Sequence, residues 1–196
     1  MSHINFEFKA RAKDPVWLEN RLLQLYPHFI GEDRQTDTYF NVEKGRLKLR
    51  EGNIENALIY YERQDVAGAK KSDILLYKHQ PDESLKDILT KIHGIKVIVK
   101  KVRKIYFVDN AKFHLDRIDE LGTFIEVEAI DNSGNIGFEN YRIGKLKDQC
   151  EKYANFFEIK SEDYVSHSYS DLILELNSTL NKGHSAISKQ TNTDDF

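Results

Sequence analysis

An α+β fold built mainly of antiparallel strands is what the 196-residue sequence predicts, and three observations predict it. Most of the chain alternates apolar and polar residues with period two, the mark of half-buried strands. The alternating runs are joined by short turns, which connect antiparallel neighbours but cannot connect parallel ones. Helical periodicity is confined to four stretches, and the apolar strand faces are continuous enough to need those helices packed over them.

Residues 4–10 open the series, with Ile4, Phe6 and Phe8 on one side and Asn5, Glu7 and Lys9 on the other. Asp14-Pro15 supplies an N-cap followed by proline at the first helical position. Val16, Leu18, Leu22, Leu25 and Tyr26 follow at helical spacing up to Pro27. Strand-like text then runs from Thr36 to Arg63 in three pieces, Thr38–Phe40, Arg46–Arg50 and Leu58–Arg63. Gly45 and Gly52-Asn53 mark the turns between them. Residues 64–72 read as a surface loop before a strand near Ile74–His79, and Lys70, Lys71 and Lys78 there read as solvated. Ser84 with Asp87 resembles a capping box, opening a short helix that Gly94 closes. Three strong strand runs follow at 95–108, 111–118 and 123–130, with turns at Asp109-Asn110 and Asp119–Gly122. Residues 137–155 carry Ile143, Leu146, Cys150 and Tyr153 at helical spacing, and a last helical stretch covers Ser168–Leu180. The polar residues 181–196 read as a disordered tail, so the expected organisation is one domain over 1–180 followed by that tail.

Twenty-nine bases against 32 acids leave a net charge of −3, which argues against a general nucleic-acid binder that must neutralise phosphates. No apolar run approaches the roughly 20 residues needed to cross a bilayer. The N-terminus lacks the apolar core of a secretory signal, and the single cysteine, Cys150, has no partner for an internal disulfide. A cytoplasmic protein is therefore expected. Seven scattered histidines show no zinc-ligand spacing. Among them His114 stands out, because strand parity sets it beside Asp116.

The polar faces of the strands carry the chemistry. Asn5, Glu7 and Lys9 share a face, as do Arg46, Lys48 and Arg50, then Lys101 and Arg103, then His114 and Asp116, then Glu126 and Glu128. Arg63 lies on the side of Ile59 and Tyr61. Stripes like these also occur on the solvated face of an ordinary antiparallel sheet. Here, however, they are rich in full charges and segregate by sign, acids on the first and last strands and bases between. If the sheet closes on itself, these faces confront one another across a channel. Carboxylates beside Arg and Lys suit a polyphosphate with its hard divalent cation.

These segments, in this order, resemble the CYTH domains, the triphosphate tunnel metalloenzymes. Asn5-x-Glu7-x-Lys9 is similar to the family's Glu-x-Glu-x-Lys opening, and Leu47-Lys48-Leu49-Arg50 to its Leu-Arg-x-Arg strand. Tyr61-Glu62-Arg63, Lys101-x-Arg103, His114-Leu115-Asp116 and Leu121-Gly122-Thr123-Phe124-Ile125-Glu126-Val127-Glu128 resemble the pieces that follow. Asp37-Thr38-Tyr39-Phe40 and Ser168-Tyr169-Ser170-Asp171-Leu172 are similar to the class IV adenylyl cyclase branch. The resemblance covers residues 4 to about 174. It implies a closed antiparallel tunnel of about eight strands, charged inside, with helices packed outside. It also implies Mg2+ or Mn2+ held by Glu7, Glu126 and Glu128, and phosphates held by Lys9, Lys48, Arg50, Arg63, Lys101 and Arg103. Glu7, Lys9 and Asp116 are the expected catalytic residues. One departure stands out: Asn5 replaces the first signature glutamate, which removes a charge and a strong metal ligand.

Three readings follow. The first is cyclisation of ATP to cyclic AMP and pyrophosphate. The second is hydrolysis of inorganic triphosphate, thiamine triphosphate or a nucleoside triphosphate. The third is non-catalytic binding of a nucleotide or polyphosphate. Each has a small-molecule triphosphate as partner, with no nucleic acid and no membrane, for a monomer or homodimer.

Overall fold

The computed structural model describes residues 2–63, 65–131 and 139–190, with side-chain surroundings over 5–63, 65–131 and 143–181. Eight strands form one closed barrel: β1 (Ser2–Arg11), β2 (His28–Phe40), β3 (Arg46–Glu51), β4 (Ala57–Arg63), β5 (Lys70–Lys78), β6 (Ile95–Val108), β7 (Ala111–Ile118) and β8 (Gly122–Ile130). Around the ring the order is β1-β5-β4-β3-β2-β6-β7-β8, and β8 pairs with β1. Every neighbouring pair is antiparallel. Two meanders, β2 to β5 and β6 to β8, meet along β2–β6. β1 seals the other seam, setting Glu7 opposite Lys70 on one side and Glu128 on the other.

Closure gives each strand an inner and an outer face. Outward residues Phe6, Phe8, Phe113, Ile125 and Val127 are buried under α1 (Pro15–Leu23) and α3 (Glu139–Phe156), against Leu18, Leu22, Leu146, Cys150 and Ala154. Outward Phe40 and Leu49 pack on Leu89 of α2 (Glu83–His93). The fourth helix, α4 (Tyr169–Gln190), works differently. Its Tyr169 and Ile173 cluster with Tyr39, Val97, Val99, Ile118 and Phe124, which sit on the inward parity of their strands. α4 therefore plugs one end of the barrel. The other end is framed by the β3–β4 turn and the ends of β5, β6 and β8.

Several elements differ from the sequence expectation. β2 starts at His28, well before Thr36, because Glu32 to Gln35 pair with Lys104 to Lys101 although both faces there are polar. β5 starts at Lys70, inside the stretch read as loop. α1 stops at Leu23, and Tyr26 has φ 50°. The N-cap of α2 is Asp82, whose side chain accepts from Ser84 N at 2.7 Å, so Ser84 is not the cap. Gly94 closes that helix at φ 69°, a conformation glycine adopts without a Cβ penalty. α4 is described to Gln190, while residues 191–196 of the expected tail, Gln64 of the loop and residues 132–138 lie outside the described residues. No described helix is long and apolar enough to cross a membrane.

Candidate active site

The barrel encloses a cavity of about 690 Å³. Its lining is ionic at the plugged end and mixed toward the open end. Every phosphate-binding residue expected from the sequence points into it: Lys9, Lys48, Arg50, Arg63, Lys101 and Arg103. So do Glu7, Glu126 and Glu128. Burying so many charges is tolerable only if they are paired, and all of them except Glu128 stand in ion pairs with an oppositely charged side chain.

Two hubs organise the pairing. Asp37 on β2, 1% exposed, accepts from Arg50 Nε at 2.8 Å and Nη2 at 3.0 Å, Lys48 Nζ at 3.0 Å and Lys101 Nζ at 2.9 Å. Burial opposes its ionisation, but Arg50, Lys101 and Lys48 together hold its pKa well below the usual range. The second hub is Arg103. It donates to Asp116 Oδ1 and Oδ2 at 2.6 Å each, and to Glu126 Oε2 at 2.7 Å. Lys9 Nζ stands 3.5 Å from Glu126 Oε1 and 3.8 Å from the centre of the Tyr169 ring. Burial lowers the Lys9 pKa. Tyr169 Oη donates to Asp116 Oδ2 at 2.8 Å. Asp116 is thus held from two sides, and despite burial the Arg103 guanidinium keeps it ionised.

Glu7 is paired with Arg63. Glu128 lies nearer the open end, where burial raises its pKa and Glu126 raises it further against the pull of Lys112. Asn5 Nδ2 reaches Glu128 Oε2 at 3.3 Å. His114, Glu126 and Glu128 each present a ligand atom, and the three atoms lie within 4.8 Å of one another. Among the described residues this trio is the arrangement able to hold a metal ion.

The expected segregation of sign is corrected by β2, which sets Asp33 and Asp37 inward among the bases. The alternation Asp33-x-Gln35-x-Asp37-x-Tyr39 carried that signal. Glu55, on the β3–β4 turn, had none. It accepts from Arg50 Nη1 at 2.9 Å and from Lys112, and these cations hold its pKa low although burial opposes them. Asp33 fixes that turn by accepting from Ile54 N and Glu55 N at 2.9 Å each. Gly52 is required beside it, since a Cβ there would stand 2.6 Å from Asp33 Oδ1. Lys70 is buried, not solvated, with Nζ donating to Ser166 O at 2.7 Å and Val66 O at 3.2 Å. Burial, then Arg63, lowers its pKa to about 8.

The family description of the CYTH domain matches residues 3–169. The chain belongs to the CYTH family. A Methanocaldococcus jannaschii protein named as a candidate adenylate cyclase is 23% identical over 181 residues, 86% of this chain and 98% of that one. A solved structure from Pyrococcus horikoshii matches with TM-score 0.72 at 22% identity, covering 86% of this chain and 98% of its own. Another, from Vibrio parahaemolyticus and likewise named as a candidate adenylate cyclase, matches with TM-score 0.71 at 17% identity, covering 88% and 99%. At these identities the likeness to the two structures is one of fold. CYTH domains are a triphosphate-tunnel family, and the barrel here is lined by acids and bases.

Proposed function

We propose that this CYTH protein is a cytoplasmic, divalent-metal-dependent enzyme that cyclises ATP to cyclic AMP and pyrophosphate. The observation that carries the reading is the cross-linked lining, in which Glu126 bridges Lys9 and Arg103 while Glu7 holds Arg63. A Mg2+ or Mn2+ ion fits that lining because Glu126 and Glu128 present converging carboxylates, with Glu7 facing the same space from the paired strand. Bound there, the ion would supply positive charge against the phosphates and lower the pKa of an attacking hydroxyl. Neutralising Glu126 frees Lys9 and Arg103 for phosphate oxygens, so cation and triphosphate favour each other's binding.

Lys9, Lys48, Arg50, Arg63, Lys101 and Arg103 then grip the phosphate chain, the Lys residues as point charges and Arg50 and Arg103 through guanidinium N–H groups not engaged by Asp37 and Asp116. Catalysis of this kind is mostly positioning and charge stabilisation. The ribose 3′-oxygen attacks the α-phosphorus, the bond from that phosphorus to pyrophosphate breaks, and the hydroxyl proton is released. Asp116 orients Arg103 rather than acting alone, since both its oxygens accept from that guanidinium.

A nucleoside triphosphate is favoured over a bare triphosphate by the rest of the wall. Ala57, Ile59, Ile74 and Leu76 form an apolar inner patch toward the open end. The cavity, about 690 Å³, falls within the roughly 300–1,000 Å³ of sites for organic ligands. The test is to incubate the purified chain with ATP and Mn2+ and resolve the products. Cyclic AMP with pyrophosphate supports cyclisation, and ADP with orthophosphate replaces it by hydrolysis. Thermal stabilisation by triphosphate with no product leaves a binding protein.

A further inference from the structure

We propose that the cation site of this chain is a mixed nitrogen–oxygen site, in which the His114 imidazole joins Glu126 and Glu128 as a ligand and biases the site toward Mn2+ and other first-row transition ions over Mg2+. The inference rests on the metal-dependent reading above and specifies its ligand set.

Geometry comes first. His114 Nδ1 lies 3.6 Å from Glu126 Oε2 and 3.5 Å from Glu128 Oε1. Two ligands about 2.1 Å from one ion, at angles of about 90–110°, stand about 3.0–3.4 Å apart. His114 is near that spacing from each carboxylate, and closing the site draws in ligand atoms that now lie within 4.8 Å of one another. The three residues are held on paired strands, with His114 directly opposite Glu126 across the β7–β8 ladder. No loop has to fold for them to meet.

The second observation is the state of the imidazole. His114 is 1% exposed; its Nδ1 faces two carboxylates at the edge of hydrogen-bond distance, and its Nε2 has no hydrogen-bond partner. A buried polar atom left unpaired is costly, so native cores rarely keep one without use. The His114 Nδ1 points into the space between the two carboxylates, where one ion could touch all three groups.

The third observation is what happens on β1. Asn5 brings no charge, and its Oδ1 is buried without a partner. Glu7 is engaged by Arg63. The ligand that β1 does not offer is offered by β7 instead. That exchange of carboxylate oxygen for imidazole nitrogen has a chemical consequence. Mg2+ prefers oxygen ligands and keeps its waters, whereas imidazole suits transition ions.

The test uses the full chain with Mn2+ alone, and again with inorganic tripolyphosphate. Pulsed electron paramagnetic resonance of bound Mn2+ is expected to show nitrogen-14 modulation from one imidazole. The modulation should vanish in His114→Gln, and the Mn2+-over-Mg2+ preference from competition titration should fall about tenfold or more. If His114→Gln does not fold, nitrogen-15 histidine labelling of the unsubstituted chain decides, because only a ligating ring changes the pattern. Bound Mn2+ without nitrogen modulation overturns the proposal, as does failure of the chain to take up Mn2+ with or without tripolyphosphate. Cyclic AMP formed with no nitrogen coupling leaves the enzyme reading standing and removes only this one. Nitrogen coupling with no product does the reverse.

Discussion

Replacing Asp37 by asparagine tests the charge logic of the tunnel most directly. The substitution keeps the shape and removes one charge. Three cations lose their common partner: Arg50, Lys48 and Lys101, now 2.8–3.0 Å from the carboxylate. Arg50 keeps Glu55 at 2.9 Å. Lys101, with its side chain 1% exposed, does not have that second carboxylate. Breaking a buried ion pair by removing one member costs about 3–5 kcal/mol. Lys101 can shed its proton, because burial already lowers its pKa, which pulls the expected loss toward the lower figure. For a domain of this length each kcal/mol moves the melting temperature by about 2–4 °C, so Asp37→Asn should melt roughly 6–20 °C below the unsubstituted chain. Differential scanning calorimetry in buffer without phosphate measures it. Adding inorganic tripolyphosphate should narrow the gap, because the polyanion then supplies the charge that Asp37 gave. An unchanged melting temperature, or a gap indifferent to tripolyphosphate, would refute the picture of a tunnel whose bases wait on internal acids.

Other substitutions probe neighbouring links. Glu126→Gln should lower turnover at least about 100-fold, since loss of outer partners alone costs metal sites about 10–100-fold. A near-normal rate in steady-state assays would show that Glu126 holds no cation. Tyr169→Phe keeps the ring under Lys9 but removes the 2.8 Å hydrogen bond to Asp116. It should cost about 1.5–3 kcal/mol by urea unfolding, and a loss below about 0.5 kcal/mol would mean that the plug does not hold Asp116. Lys70 gives a pH test. The unfolded side chain keeps its proton up to the ordinary lysine value of 10.5 and the folded one sheds it near 8. Between those values the unfolded chain binds more protons, so raising pH favours the folded state by up to about 1.4 kcal/mol per pH unit. Relative to Lys70→Met, the unsubstituted chain should gain stability across that window in chemical denaturation. A flat difference would contradict the buried amine.

The strands and most of the tunnel lining were legible in the sequence, because period two fixes which side chains share a face regardless of what lies opposite. Glu7 with Lys9, Lys101 with Arg103, and Glu126 with Glu128 were grouped on that ground alone, and the barrel keeps each group together. The first half of β2 was not legible, since it is polar on both faces and is held as a strand by its pairing with β6. Glu55 was equally silent, being delivered by a turn that Asp33 and Gly52 shape.

Linear order therefore determined the composition of each wall, and only the closed barrel decided who meets whom across it. Asp37 reaches Lys101, and Glu7 reaches Arg63, over separations of 64 and 56 residues. Local periodicity carries no information about such contacts, because they depend on ring order and register. The same holds for Tyr169, whose helix looks like any other amphipathic helix until the barrel gives it an end to close.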